Sequence, residues 1–129
     1  MTSNSVSDYR LAARSFIGQA LSRPSMFFKT LDQLESIMYG HGFAYQQMLF
    51  VTNDETFNIH FSDWLYERKT LSCSSGWAYA IEQYCAKRKQ NSVRAFTRYV
   101  SDFFENWNVG PLVVERVTRK RQKAPNEDA

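Results

Sequence analysis

The side chains in this sequence that could do chemistry are two histidines and two cysteines. His60 lies three residues before Asp63, a spacing that would put an imidazole and a carboxylate on one face of a helix. A metal ion needs at least one more ligand, and none is apparent for this pair. His41 has no second ligand at helical spacing. We therefore predict that both histidines are structural or surface residues and that the chain has no metal site.

Cys73 is the best apparent nucleophile, because it lies just before an expected helix start, where the pKa of a thiol can be lowered. Nothing in the sequence brings a histidine base to it, and nucleophilic catalysis needs such an activator. The serine-rich stretch around it is predicted to be a capping loop, and Cys73 and Cys85 are predicted to be free thiols in a reducing cytoplasm. The chain also lacks glycine-rich phosphate loops and a GxSxG motif. We predict no enzymatic activity and no cofactor.

The formal net charge of +3 is concentrated late in the sequence. From residue 115 onward there are five Lys/Arg and three Asp/Glu, so the preceding residues are nearly neutral. A flexible basic segment of this kind can add salt-sensitive affinity for nucleic acid, and its candidate contacts are Arg119, Lys120, Arg121 and Lys123. A second basic cluster, Lys87–Lys89 with Arg94 and Arg98, has Asp102 at helical spacing from Arg98. This cluster is predicted to be a solvated face of mixed charge.

Apolar residues at three- and four-residue spacing predict the helices that must position these groups. The first helix is expected from about Asp8 to Leu21, and it must stop before Pro24. The second begins after Thr30, which can form a capping box with Gln33. The segment between these two helices is predicted to be a tight apolar linker.

The second predicted helix has apolar side chains on two sides, which is typical of a central helix. Its main stripe starts at Leu31, and its second set includes Tyr39 and Phe43. Gly40 and Gly42 each cost up to about 1 kcal/mol relative to Ala in a helix interior. We therefore expect a packed neighbour to approach the bare backbone there, with a break in the helix as the alternative.

Three further helices are predicted, each preceded by polar residues that can act as caps. The expected cap of the third helix is Asn53 or Asp54. That of the fourth is Ser74 or Ser75, and that of the fifth is Asn91 or Ser92. The aromatic residues predicted to hold the core are Phe61, Trp64, Trp77, Phe96, Phe103 and Trp107. After Gly110 and Pro111 end the fifth helix, Leu112–Val114 is expected to pack on the bundle as a short extended segment.

These elements predict an all-α fold, a single-domain bundle of about five helices with a flexible basic C-terminal tail. The helical domain is expected to span residues 8–117, and the disordered tail residues 118–129. The polar start, Met1–Ser7, does not have the pattern of a signal peptide. No apolar run is long enough to cross a membrane. The chain is therefore predicted to be cytoplasmic, without a membrane partner.

Several short motifs lie at wide spacing along the chain. They are Arg23–Phe27 (RPSMF), Leu31 with Leu34, Tyr39–Ala44 (YGHGFA), Phe61–Leu65 (FSDWL) and Ser75–Trp77 (SGW). The arrangement resembles small bacterial proteins with an RPxM[FY]…GY…FxxWL…GW pattern, some of which look like immunity proteins of polymorphic or contact-dependent toxin systems. The resemblance covers about Arg23 to Phe104. Its motifs are mostly core and turn residues, so it implies kinship of fold more directly than kinship of function. This sequence departs from the pattern at YGHG, where a simple Gly-Tyr pair would be expected.

The resemblance implies a non-enzymatic immunity-type protein that neutralises a cognate bacterial toxin by binding it. Complementary charge speeds and orients docking, so a cationic toxin domain would be met by acidic and aromatic side chains. The candidate partner-binding residues are Asp54, Glu55, Asp63, Tyr66 and Glu67. The alternative prediction is a small nucleic-acid-associated regulatory protein that uses the basic tail. The sequence leaves the oligomeric state open.

Overall fold

The computed structural model describes residues 3–114, and over this range the chain is helical, without a strand. The helices are α1 (Ser3–Ser22), α2 (Pro24–Phe27), α3 (Leu31–Gln47), α4 (Phe57–Lys69), α5 (Trp77–Arg88) and α6 (Ser92–Asn106). A short 3₁₀ turn, Asn53–Glu55, precedes α4. The predicted all-α bundle is confirmed: the five long helices correspond to the five predicted ones, and α2 is an additional single turn.

The first two helix boundaries differ in detail from the prediction. Helix α1 begins at Ser3 rather than near Asp8. The expected linker contains α2, where Pro24 stands at the start of the turn, a position that needs no backbone N–H donor. The predicted cap of α3 is present, since the N–H of Gln33 donates to Thr30 Oγ1 at 3.3 Å. The amide oxygen of Gln33 accepts from the N–H of Lys29 at 2.7 Å.

Helix α3 contacts α1, α4 and α5, which fits the predicted central position, but two aromatic residues of its second apolar set are exposed. Tyr39 is 67% exposed and Phe43 is 52% exposed. The helix is continuous through both glycines. A side chain at Gly42 would meet the methyl group of Thr56 at 3.2 Å, whereas a side chain at Gly40 would meet nothing within 4 Å. The expected close neighbour is therefore present at Gly42 and absent, within the described range, at Gly40.

The core is built from aromatic rings contributed mainly by α4, α5 and α6. All six aromatic residues predicted to hold it are buried. The ring of Trp77 stacks on Phe96 at a centroid distance of 4.9 Å and meets Phe61 edge-on at 5.4 Å. Full burial of a Phe side chain contributes roughly 1.5–3 kcal/mol, and aromatic contacts add to it. These rings fix the helices that position the surface described below.

Helix α4 starts with a hydrogen bond from another helix. The hydroxyl oxygen of Tyr9 in α1 accepts from the backbone N–H of Phe57 at 2.6 Å, and both groups are buried. Burial raises the pKa of Tyr9 to about 12. Asn53 and Asp54, the predicted caps, instead lie in the 3₁₀ turn before the helix. That prediction is wrong because the orphan donor at this helix end is satisfied from α1, 48 residues away.

Helix α5 also starts with a cap from another helix, so the prediction of Ser74 or Ser75 is wrong. The residue before the helix is Gly76, with a φ of 98°. The carboxylate of Glu35 in α3 accepts from the N–H of Trp77 at 3.0 Å. The positive φ favours glycine at this position, and a Cβ there would lie 2.6 Å from Glu35 Oε2 and displace the capping carboxylate.

Asn58 in α4 links this helix to α3 and α5 through its side-chain amide. Its Nδ2 donates to the backbone carbonyl of Glu35 at 3.2 Å, and its Oδ1 accepts from Trp77 Nε1 at 2.8 Å. Burial raises the pKa of Glu35, while hydrogen bonds from the N–H groups of Trp77 and Ala78 act in the opposite direction. The junction of α3, α4 and α5 is therefore a connected polar network beside the aromatic core.

The end of the described chain follows α6. Leu112 and Val114 are partly buried against the core, so the expected packing of Leu112–Val114 on the bundle is confirmed. The predicted domain limit at residue 117 and the predicted tail, with its candidate contacts Arg119, Lys120, Arg121 and Lys123, lie outside the described residues. Among the helices of residues 3–114, none combines the length and the apolar character needed to cross a membrane.

Candidate functional site

Three of the predicted partner-binding residues share one exposed face of α4. Asp63, Tyr66 and Glu67 are three and four residues apart, and all three are exposed, with Tyr66 at 65%. Ile59, four residues before Asp63, extends this surface and is 38% exposed. We call Ile59, Asp63, Tyr66 and Glu67 the α4 face. Sequence reasoning missed Ile59, although its four-residue spacing from Asp63 was a signal for it.

The other two predicted contacts lie in the 3₁₀ turn before α4 and differ from each other. Asp54 is exposed. Glu55 is half-buried, and its carboxylate accepts from the backbone N–H of Thr52 at 2.7 Å. Asp54 therefore remains available to a partner, whereas Glu55 has a structural role within the turn.

The α4 face stays acidic because the neighbouring cations make other contacts. The ammonium of Lys69 lies over the rings of Trp64 and Tyr99 at 5.8 and 5.7 Å. Arg68 donates to Asn106 Oδ1 at 3.2 Å. Within the described part of the chain, no Lys or Arg forms an ion pair with the carboxylates of this face.

The two carboxylates on the face also weaken the helix that displays them. Asp63 and Glu67 are four residues apart in α4 and carry the same charge. A like-charge pair at this spacing costs an isolated helix about 0.2–0.5 kcal/mol. A cation beside the two carboxylates would relieve this repulsion.

His60 has the structural role that was predicted. Its Nδ1 accepts from the indole Nε1 of Trp107 at 2.7 Å. The guanidinium of Arg10 lies 4.7 Å from the Trp107 ring and donates to the carbonyl of the same residue at 3.1 Å. Burial, followed by the nearby charge of Arg10, lowers the pKa of His60. Neutral His60 therefore serves as an acceptor that fixes the end of α6.

His41 is a member of an aromatic cluster. Its ring lies 5.8 Å from Tyr9, 5.7 Å from Phe16 and 5.0 Å from Tyr45, measured between centroids. Burial lowers the pKa of His41 and so favours its neutral form. Across the part of the chain that the structure describes, no group of three or more His, Cys, Asp or Glu side chains could hold a metal ion.

The two thiols are free, as predicted. Cys85 is buried, and Cys73 is half-buried with its thiol 3.6 Å from the carbonyl of Leu71. Burial raises the pKa of Cys73 to about 11. A thiol with this pKa remains protonated at neutral pH, so the proximity to α5 does not activate it as a nucleophile.

No protein-family model matches the chain, and no match is found among curated proteins or solved structures. The likeness to immunity proteins therefore stays a prediction from the sequence pattern. Among the surfaces of the described residues, the α4 face brings together three of the five predicted contacts.

Proposed function

We propose that this protein is a non-enzymatic, cytoplasmic immunity-type protein that binds a cognate bacterial toxin and neutralises it by occlusion. The α4 face carries the proposal: it combines an exposed aromatic ring with two exposed carboxylates that make no ion pair among the described residues. Occlusion needs a rigid scaffold and a complementary surface, and it requires no catalytic group.

The composition of the α4 face suits a protein partner with a cationic surface. Tyrosine is enriched among the residues that contribute most to binding, because its ring buries a large area and its hydroxyl can still form a hydrogen bond. Asp63 and Glu67 lie on the same exposed face as Tyr66 and would steer a positively charged domain towards it. Ile59 adds apolar area at one end of the face.

The opposite side of α4 holds this face in place. Phe57, Phe61, Trp64 and Leu65 are all buried in the core. A surface held by such packing loses little conformational freedom on binding, and a preorganised surface binds more tightly for the same contacts.

The test is rescue of cells that express the toxin encoded by the adjacent gene. The full chain should protect these cells, and the combined variant Asp63→Asn, Tyr66→Ser, Glu67→Gln should lose protection, with at least a tenfold weaker complex. The matched control is Asp102→Asn with Glu105→Gln, which removes two exposed carboxylates from α6. Equal protection by both variants would exclude the α4 face as the contact.

Deletion of residues 119–129 separates this proposal from the nucleic-acid alternative. An immunity protein that binds through its folded surface should protect cells without this segment. A regulator that uses the basic tail should bind DNA or RNA with an affinity that falls steeply with salt and is lost on deletion. Tight, tail-dependent binding to nucleic acid without rescue would overturn the proposed function.

A further inference from the structure

Two arginines line a pair of adjoining cavities at the start of α6. Arg94 and Arg98, four residues apart, border a cavity of about 640 Å³ that lies between α6 and the junction of α1 and α2. They also border a second cavity of about 440 Å³, where Lys89 is a third cation. Asn91 is shared by both cavities, and Ser101 lines the larger one. We call Arg94 and Arg98 the arginine pair.

The cavities are positively charged without compensation from the described residues. No Asp or Glu is among the described residues that line either of them. Asp102 follows Arg98 by four residues, yet neither arginine forms an ion pair within residues 5–114. The guanidinium of Arg98 lies instead 5.6 Å from the ring of Tyr99.

This placement of charge works against the helix that carries it. Arg94 is in the first turn of α6, and that turn has no acidic residue. The N-terminal end of a helix is electropositive, so cations there are unfavourable and anions are favourable. The positive charges of Arg94 and Arg98 also repel each other at their four-residue spacing. Arg98 contacts Tyr99, whereas no acidic residue in the first turn offsets the charge of Arg94, and a local rule broken in this way is typical of functional positions.

We infer that the arginine pair binds the phosphate group of a small phosphorylated molecule. Two guanidinium groups can each donate a pair of parallel hydrogen bonds to phosphate oxygens. The Asn91 amide and the Ser101 hydroxyl can add donors from the same walls. Cavities of roughly 300–1,000 Å³ are typical of small-molecule sites, and the larger cavity lies in that range.

A nucleic-acid strand is another source of the same phosphate chemistry, and the structure favours the small ligand. Single-strand sites combine a continuous basic groove with exposed aromatic rings on which bases stack. Within residues 3–114, no aromatic residue forms part of the walls of the two cavities. The site therefore has the means to hold a phosphate group without the means to hold a succession of bases.

The test is titration of the full chain with inorganic pyrophosphate. Calorimetry measures the affinity, and NMR of the arginine Nε–H groups shows which arginines bind. Arg94→Gln with Arg98→Gln should weaken binding at least tenfold. The control, Lys29→Gln with Arg68→Gln, removes two cations that line neither cavity and should change binding less than twofold. The basic residues 119–123 are present in the wild type and in every variant, so they do not contribute to the difference in pyrophosphate affinity between these proteins.

Arg94→Lys with Arg98→Lys provides a second readout, because it keeps the charge and loses the planar fork. An affinity between those of the wild type and the Gln variant is expected. Absence of pyrophosphate binding, or equal losses in the Gln variant and the control, would overturn the site. Binding of a single-stranded oligonucleotide through the pair, without pyrophosphate binding, would overturn the small ligand in favour of nucleic acid.

Discussion

Helices α3 and α6 begin with caps from the adjacent sequence, whereas α4 and α5 begin with caps from other helices. In the first group, Thr30 accepts from the N–H of Gln33 at 3.3 Å, and Asn91 accepts from the N–H of Arg94 at 2.9 Å. Each of these bonds closes within four consecutive residues. Both helix starts are therefore specified by local sequence alone.

The caps of α4 and α5 come from Tyr9 and Glu35, which lie 48 and 42 residues away from the N–H groups they accept. These bonds form only when α1 and α3 have docked. The comparison shows that the same need, the satisfaction of orphan N–H groups, can be met by local sequence or by tertiary structure. Removal of a long-range cap and removal of a local cap should therefore lower the free energy of unfolding by different amounts.

Among the changes at helix starts, loss of the Trp77 side chain should lower the stability of the protein most. The residue is fully buried at the beginning of α5. Trp77→Ala removes its ring contacts and its hydrogen bond to Asn58, and it should lower the free energy of unfolding by roughly 3–5 kcal/mol. Thermal and denaturant melts measure this change. A variant that melts with the wild type would show that α5 is placed wrongly.

Tyr9→Phe tests the cap of α4 with little change in volume. It leaves the buried N–H of Phe57 without its acceptor, and an unsatisfied buried donor costs about 1–3 kcal/mol. The control is Tyr66→Phe on the exposed α4 face, which should change stability by less than about 0.5 kcal/mol. Equal stabilities of the two variants would show that the Tyr9 hydroxyl does not cap α4.

The local caps should matter less. Thr30→Ala and Asn91→Ala should each cost about 1 kcal/mol, because the freed N–H groups at exposed helix ends can bind water. Denaturant melts of both variants, compared with Tyr9→Phe, measure the difference between the two kinds of helix start. If Thr30→Ala or Asn91→Ala lost more stability than Tyr9→Phe, the local caps would contribute more than the long-range cap, contrary to the prediction.

The smallest effect should appear in the pH dependence of stability. Burial raises the pKa of Glu35, so the folded protein binds this proton more tightly than the unfolded chain does. The resulting stabilisation is present below the ordinary carboxyl pKa and is lost as the pH rises through the raised value. Glu35→Gln keeps an acceptor for Trp77 and removes the titration. Its melts between about pH 4 and pH 7 should lack the part of the pH dependence that Glu35 causes. An unchanged slope would contradict this assignment.

The helices and the local caps were predictable because their signals lie within a few residues. The start of α5 was not, since Ser74 and Ser75 have the right chemistry while the acceptor, Glu35, comes from α3. Periodicity also placed Tyr39 and Phe43 in the core, although both are exposed. Apolar character alone does not determine which side of a helix meets a neighbour.

The same limit applies to the candidate sites. Asp63, Tyr66 and Glu67 were predicted as contacts from their charge and aromatic character, and the structure places all three on the exposed surface of α4. Arg94 and Arg98 were predicted to lie on a solvated face of mixed charge, and both are exposed, but the prediction did not include a cavity beside them. The junction of α1 and α2, which forms the opposite wall of their cavity, comes from a distant part of the sequence. Spacing within one helix predicts a face, and only the packing of several helices predicts a cavity.

The long-range caps also determine which motions the bundle can make. Helix ends normally fray, so their first amides exchange with solvent through small local openings. The amides of Phe57 and Trp77 are held by side chains of α1 and α3, so the starts of α4 and α5 are tied to neighbouring helices. We expect hydrogen exchange at these two positions to be slower than at the starts of α3 and α6, where the caps are local.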